Sequence, residues 1–215
     1  MSSKERADMP DELRAEVRTS LPTRYGPFDV LAFRMAEDAV THLALVRGDV
    51  RGHDVLARVH SECLTGEVLG SLKCDCGQQL DTALRRIAGA DRGIVVYLRG
   101  HEGRGIGLVE KLRAYALQNT GLDTIEANLA LGYPVDARDY RAAGAVLAWL
   151  GVRGVRLLTN NADKVRALTT FGIHTDALPM PAAVNPHNRP YLFAKRERLG
   201  QRGIQQYEQF EERGA

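Results

Sequence analysis

Apolar positions between Leu21 and Val59 fall in three short β-rich runs, 28–33, 42–46 and 55–59. Gly48-Asp49 and Arg51-Gly52 punctuate them, a pattern that predicts antiparallel pairing. After Cys76-Gly77 the period lengthens, and Leu80, Leu84 and Ile87 recur at helical spacing. Gly93 introduces the apolar run Ile94-Val-Val-Tyr-Leu98, typical of a buried strand. The glycine-rich turn Gly100–Gly107 then leads into a helix carrying Leu108, Leu112 and Tyr115 on one face. The second half repeats the alternation. Asp139–Leu150 reads as a helix with Ala143, Val146, Leu147 and Leu150 on one face and Gly151 as its stop. Val155–Leu158 reads as a strand, and Asn161 caps a helix that runs to Phe171 and ends at Gly172. Together these elements predict an α+β fold with mixed sheets: an antiparallel N-terminal portion followed by alternating strands and helices in one compact unit. Residues 1–20 read as a polar arm, weakly helical or disordered, and residues 190–215 as a charged surface helix or loose tail.

Charge adds little specificity. The 215 residues hold 29 Lys plus Arg against 27 Asp plus Glu, so nothing marks a nucleic-acid-binding polycation. Met1–Arg18 lacks the apolar core of a signal peptide. No apolar run approaches the roughly 20 residues that span a bilayer. Neither nucleic acid nor a membrane is expected as a partner, and a cytoplasmic location is expected.

Cysteine usage changes the picture. The chain has three cysteines, Cys63, Cys74 and Cys76, all within fourteen residues. An odd, clustered set argues against a disulfide framework and for a reducing compartment. Three thiolates hold Zn²⁺ and leave its fourth tetrahedral position open, as catalytic zinc sites do. Reduced core cysteines and a redox C-x-C pair are the competing readings.

Three further segments carry polar chemistry at element ends. Gly103-Arg-Gly-Ile-Gly107 lies between strand and helix, where backbone N–H groups hold anions, but it matches neither G-x-G-x-x-G nor the P-loop. A tight structural turn explains it equally well. His101-Glu102 begins H-E-x-x-H, yet Gly105 occupies the second His position. Thr159-Asn160-Asn161, with Lys164 a turn later, suits phosphate binding or plain helix capping. Asp136 and Arg138 are spaced to share a face, at a phosphate or as an exposed ion pair.

Read together, Arg58-Val-His-Ser-Glu-Cys-Leu-Thr-Gly66, Cys74-Asp-Cys-Gly77, Arg99-Gly-His-Glu-Gly-Arg-Gly-Ile-Gly-Leu108, Lys111-Leu-Arg-Ala-Tyr115 and Leu158-Thr-Asn-Asn161 resemble GTP cyclohydrolase II. The resemblance runs from about Leu21 to Leu199 and implies a catalytic domain over 21–200 followed by a charged tail over 201–215. It implies a homodimeric, zinc-dependent enzyme with one Zn²⁺ per subunit. The enzyme would convert GTP into 2,5-diamino-6-ribosylamino-4(3H)-pyrimidinone 5′-phosphate, formate and pyrophosphate, the first step of riboflavin synthesis. Cys63, Cys74 and Cys76 would ligate zinc, which activates water for attack at C8 of guanine. Tyr115 would assist proton transfer in releasing formate. Arg58, Val59, His60, Ser61, Glu62, Gln79, Glu102, Gly103, Arg104, Thr124, Thr159 and Lys164 would surround GTP, whose triphosphate carries Mg²⁺.

The family pattern also implies Arg138 as nucleophile on the α-phosphate and Asp136 as proton acceptor. A guanidinium with a pKa above about 12 is a poor nucleophile, so electrostatic stabilisation by Arg138 during attack by water is the alternative. Ala194 and Gln201 replace the usual Thr and His of the family's ending, which leaves open a paralogue in a secondary pteridine or flavin-like pathway, or one that stops at the formylamino-pyrimidine. A non-catalytic zinc- and nucleotide-binding regulator is the reading of another class. A chain of this length is expected to be monofunctional, without a fused dihydroxybutanone-phosphate synthase domain.

Overall fold

A computed structural model describes residues 13–36, 39–182 and 184–193. Strands β1 (Leu13–Thr23), β2 (Gly26–Met35), β3 (His42–Arg47), β4 (Val55–Ser61), β5 (Gly93–Leu98), β6 (Gly154–Leu158) and β7 (His174–Leu178) form one continuous sheet. Their order is β1-β2-β3-β5-β4-β6-β7. The β1, β2, β3 and β5 ladders are antiparallel, and β5, β4, β6 and β7 pair in parallel. The helices are α1 (Leu64–Glu67), α2 (Cys76–Ala88), α3 (Leu108–Gln118), α4 (Thr124–Ala130), α5 (Arg141–Trp149) and α6 (Ala162–Thr170).

Alternation along the strands sorts side chains onto two faces. Phe33, Ala44, Val59, Ile94 and Val96 pack with Ala143, Val146 and Leu147 of α5 and Leu168 of α6. Phe28, Leu56 and Val95 pack on the opposite face with Ala83 and Ile87 of α2. Helices therefore cover both faces of the parallel half, and no helix among the described residues is long and apolar enough to cross a membrane.

The expected pairing of β3 with β4 does not occur. Residues 55–60 of β4 are all buried, the environment of a central parallel strand, and β4 inserts between β5 and β6 while β3 pairs β5. The expected polar arm also ends sooner, because residues 13–20 belong to β1; residues 1–12 lie outside the described set. As an edge strand β1 is mostly exposed, so its side chains carry no buried alternation, and its ladder to β2 holds it. Helix α4 starts at a capping box in which Asp123 accepts from the Ile125 and Glu126 amides and Glu126 returns to the Asp123 amide. The tail from 194 onward, including Ala194 and Gln201, lies outside the described residues; within 189–193 one helical turn buries Leu192.

This topology concentrates chemistry at one end of the sheet. Residues 62–63 follow β4, residues 99–107 follow β5 and residues 159–161 follow β6. All are at carboxyl ends of parallel strands, where open α/β sheets bind ligands.

Candidate active site

Cys63 lies two residues past the end of β4 and immediately before α1, Cys74 lies in the next loop and Cys76 opens α2. Their three sulfurs lie within 4.8 Å of one another, with Cys63 Sγ and Cys74 Sγ 3.7 Å apart. A tetrahedral zinc with Zn–S bonds of about 2.3 Å requires S–S edges of about 3.8 Å. Gly66 makes this convergence sterically permissible: a Cβ there would lie 2.7 Å from Cys74 Sγ and 3.3 Å from Cys63 Sγ. The Cys63 thiol is pulled far below its ordinary range by hydrogen bonds from the Cys74 and Cys76 sulfurs, helped by the Lys111 ammonium. Cys76 is pushed up, because a second thiolate beside the first is disfavoured. Three thiolates in this space call for a cation among them. The donor set and spacing fit Zn²⁺ with no fourth protein ligand in the group.

Buried polar groups fix the loop. Glu67 Oε1 accepts from the Cys63 amide (2.8 Å) and from His60 Nε2 (2.9 Å), and Oε2 accepts from the Tyr97 hydroxyl (2.6 Å). Burial lowers the His60 pKa to about 4 against the opposing Glu67 bond, so the ring is neutral and donates through Nε2. Lys111 Nζ donates to Cys63 Sγ at 3.0 Å, Thr65 Oγ1 at 2.7 Å and Glu102 Oε1 at 2.5 Å. Glu102 Oε2 accepts from the Leu64 amide at 2.6 Å.

The thiols line one end of a cleft together with Ser61, Glu62, Gly103, Arg104, Tyr115, Thr124 and Asn128. Its other end is lined by Arg58, His60, Gln79, Thr159, Asn160 and Lys164. Ser61, Cys76, Arg104, Arg138 and Tyr191 border both, so the two ends are continuous.

The second end is rich in buried cations. Arg58 is 4% exposed and donates to the Leu158 carbonyl (2.8 Å) and Gln79 Oε1 (2.6 Å), while its Nε has no partner. Burial lowers its pKa to about 10. Lys164 donates to the Val59 carbonyl at 2.8 Å. Buried Arg104 leaves Nη2 unpartnered and holds φ at 63°, in the left-handed region, next to Gly103 at 62°. A Cβ at Gly103 would meet Ile106 and Lys111 at 2.9–3.0 Å, so this turn needs glycine. Buried cations with unfilled donors are costly unless an anion completes them.

Arg138 forms a two-pronged pair with Asp136, Nη2 to Oδ2 at 2.5 Å and Nε to Oδ1 at 2.8 Å. Desolvation works to raise the Asp136 pKa, yet the Arg138 bonds bring it below the usual carboxylate range. Burial likewise works against the Arg138 cation, but Asp136 raises its pKa overall. The pair thus keeps Arg138 protonated, with Nη1 3.5 Å from Ser61 Oγ. Burial is the largest influence on Tyr115, pushing it up to about 12 against the nearby Lys111 charge.

Most residues expected around the substrate converge on this cleft. Val59 differs, being a core side chain that contributes its carbonyl to Lys164. Glu102 and Asp136 stand behind the lining, engaged with Lys111 and Arg138. On α3 the expected face is rotated: Lys111 and Ala114 are buried while Leu112 is half exposed, because the helix faces the polar thiol pocket. Sequence reasoning missed Asn128 and Tyr191. The capping box at Asp123 signals the helix that carries Asn128, whereas Tyr191 has no local signal.

A family model described as GTP cyclohydrolase II matches residues 14–178. "Riboflavin biosynthesis protein RibBA" of Salinispora tropica is 56% identical over 191 residues, 88% of this chain and 47% of that protein. The protein of the same name from Rhodococcus erythropolis is 52% identical over 202 residues, 90% and 47% of the two chains. That from Mycobacterium tuberculosis is 52% identical over 192 residues, 86% and 45%. The chain spans about half the length of these curated relatives. A solved structure, RibBX, a two-domain 3,4-dihydroxy-2-butanone 4-phosphate synthase from A. baumannii, covers 79% of this chain and 41% of its own at 18% identity and a TM-score of 0.45.

Proposed function

The chain belongs to the GTP cyclohydrolase II family, and from that premise we propose that it hydrolyses GTP to 2,5-diamino-6-ribosylamino-4(3H)-pyrimidinone 5′-phosphate, formate and pyrophosphate. One observation carries this reading: a three-thiol cluster and a chamber of buried cations open into the same cleft and share Cys76, Arg104 and Arg138. A purine nucleoside triphosphate has its reactive base at one end and its polyanion at the other. Such a molecule matches the two ends.

Zinc held by Cys63, Cys74 and Cys76 would supply the Lewis acidity that activates water for ring opening. At the thiol end the Tyr115 phenol stays protonated near neutrality, which suits donation to the departing nitrogen as the formamide C–N bond breaks. At the phosphate end Arg58, Arg104 and Lys164 bind the triphosphate, which carries Mg²⁺ as its counter-ion. Arg138 stabilises charge that builds on the α-phosphate as water attacks it and pyrophosphate leaves, and Asp136 fixes the guanidinium plane. The pairing that raises the Arg138 pKa favours this role over nucleophilic attack, which needs a deprotonated guanidine. The same reading gives a cytoplasmic homodimer working in riboflavin biosynthesis.

The test is incubation of GTP with purified protein, with products identified by mass and absorbance and with formate and pyrophosphate counted. Equal formate and pyrophosphate support the reading. A formylamino product without formate makes the protein the truncated-reaction paralogue, and GTP binding without turnover makes it a regulator.

A further inference from the structure

Lys111 has no role in the mechanism above, yet it is buried beside the thiols and all three of its ammonium hydrogens are engaged. A cation so saturated has nothing left to donate to a substrate. Its partners are Cys63 Sγ at 3.0 Å, Thr65 Oγ1 at 2.7 Å and Glu102 Oε1 at 2.5 Å. Glu102 anchors it from behind and, through its other oxygen, takes the Leu64 amide at 2.6 Å. One buried ion pair thereby grips the sulfur of Cys63 and the two residues that follow it. Among the described residues this is the one cationic side chain hydrogen-bonded to a sulfur of the cluster.

We propose that Lys111 is a positioning residue of the metal centre: its N–H···S bond fixes Cys63 and draws charge from that sulfur, making Cys63 the weakest electron donor of the three ligands. Hydrogen bonds from the surroundings both orient metal ligands and tune their donor strength. An all-thiolate donor set offers a metal more negative charge than imidazoles do, and a charge-assisted bond to one sulfur removes part of the excess. The inference rests on the reading that the three thiols hold a divalent metal.

The experiment uses Co²⁺ as an optical stand-in for zinc in the full-length wild type and in Lys111→Met. Sulfur-to-cobalt charge-transfer bands report donor strength independently of turnover. Wild type is expected to bind one Co²⁺ per chain. Lys111→Met is expected to bind it with the charge-transfer band moved to longer wavelength, because the freed sulfur lone pair rises in energy. Zinc affinity, from competition with a chelator, should fall about 10–100-fold. Lys111→Arg, which keeps a donor, should restore the band part-way. Unchanged band and affinity in folded Lys111→Met overturn the inference. Should that protein fail to fold by circular dichroism, Lys111→Gln, whose neutral amide is a weaker donor than the ammonium, must shift the band in the same direction, and no shift overturns the inference. Wild type that takes up no cobalt overturns the metal reading itself, a result distinct from failure of the Lys111 role.

Discussion

Gly66→Ala sets two effects of opposite sign against each other. Gly66 lies within α1 and, unlike Gly103, has no positive φ, so alanine relieves backbone entropy there by about 0.5–1 kcal/mol. The new Cβ would sit 2.7 Å from Cys74 Sγ and 3.3 Å from both Cys63 Sγ and Cys76 Cβ. In the metal-free protein a thiol can turn about its Cα–Cβ bond and relieve the contact. With a metal bound, all three sulfurs are pinned. Overpacking of this kind costs about 1–3 kcal/mol, and each 1.4 kcal/mol is tenfold in affinity, so zinc binding should weaken by roughly 5–150-fold. Metal-free Gly66→Ala should unfold at the same denaturant concentration as wild type or a slightly higher one. Zinc affinity by chelator competition, together with urea midpoints for metal-free and loaded protein, separates the two effects. Unchanged zinc affinity would refute the claim that the three thiols act as one ligand set. A large loss of stability confined to the metal-free form would show that Gly66 serves the fold instead.

Other outcomes follow from the same geometry. Tyr115→Phe should slow formate release about 100-fold or more while leaving pyrophosphate release nearly intact, read as the ratio of the two products over time. Asp136→Asn should lower the rate of pyrophosphate release with little change in GTP affinity, because it loosens Arg138 and leaves Arg58, Arg104 and Lys164 in place; a matching loss of affinity by calorimetry would contradict this. For His60 the folded pKa of about 4 lies below the ordinary 6.5, so its contribution to stability is complete above pH 6.5 and is lost as pH falls toward 4. The loss is at most about 3 kcal/mol, and in metal-free protein the urea midpoint of wild type should fall more steeply over that window than that of His60→Gln.

Legibility of the sequence followed burial. Runs such as Ile94–Leu98 and Ala142–Leu147 are buried almost throughout, so their apolar pattern names the element. β1 and β7 are mostly exposed, and their pattern says nothing that a loop would not also say. Strand order was hidden because it depends on which faces are covered: β4 reaches its place between β5 and β6 through the pairing of Val55, Leu56 and Ala57 with Val155, Arg156 and Leu157, which no local motif encodes. Among site residues, the thiols were legible from spacing, whereas Lys111 sat on the wrong face of an apolar-period reading. Amphipathic periodicity assumes an apolar neighbour, and α3 faces thiols and a carboxylate. The Asp136–Arg138 pair was legible from its i, i+2 spacing, whereas Glu102 was legible as a type but not as the anchor of Lys111, because that engagement depends on side-chain direction.

On the proposed function, one cleft joins two separable chemistries, the thiol end opening the base and the cation end releasing pyrophosphate. Single turnover of GTP by zinc-free Cys74→Ser protein supplied with Mg²⁺ separates them. The variant is expected to release pyrophosphate with the guanine ring intact and no formate, and wild type reloaded with zinc to give both products. Formate released at the wild-type rate by the zinc-free variant would refute the division of labour.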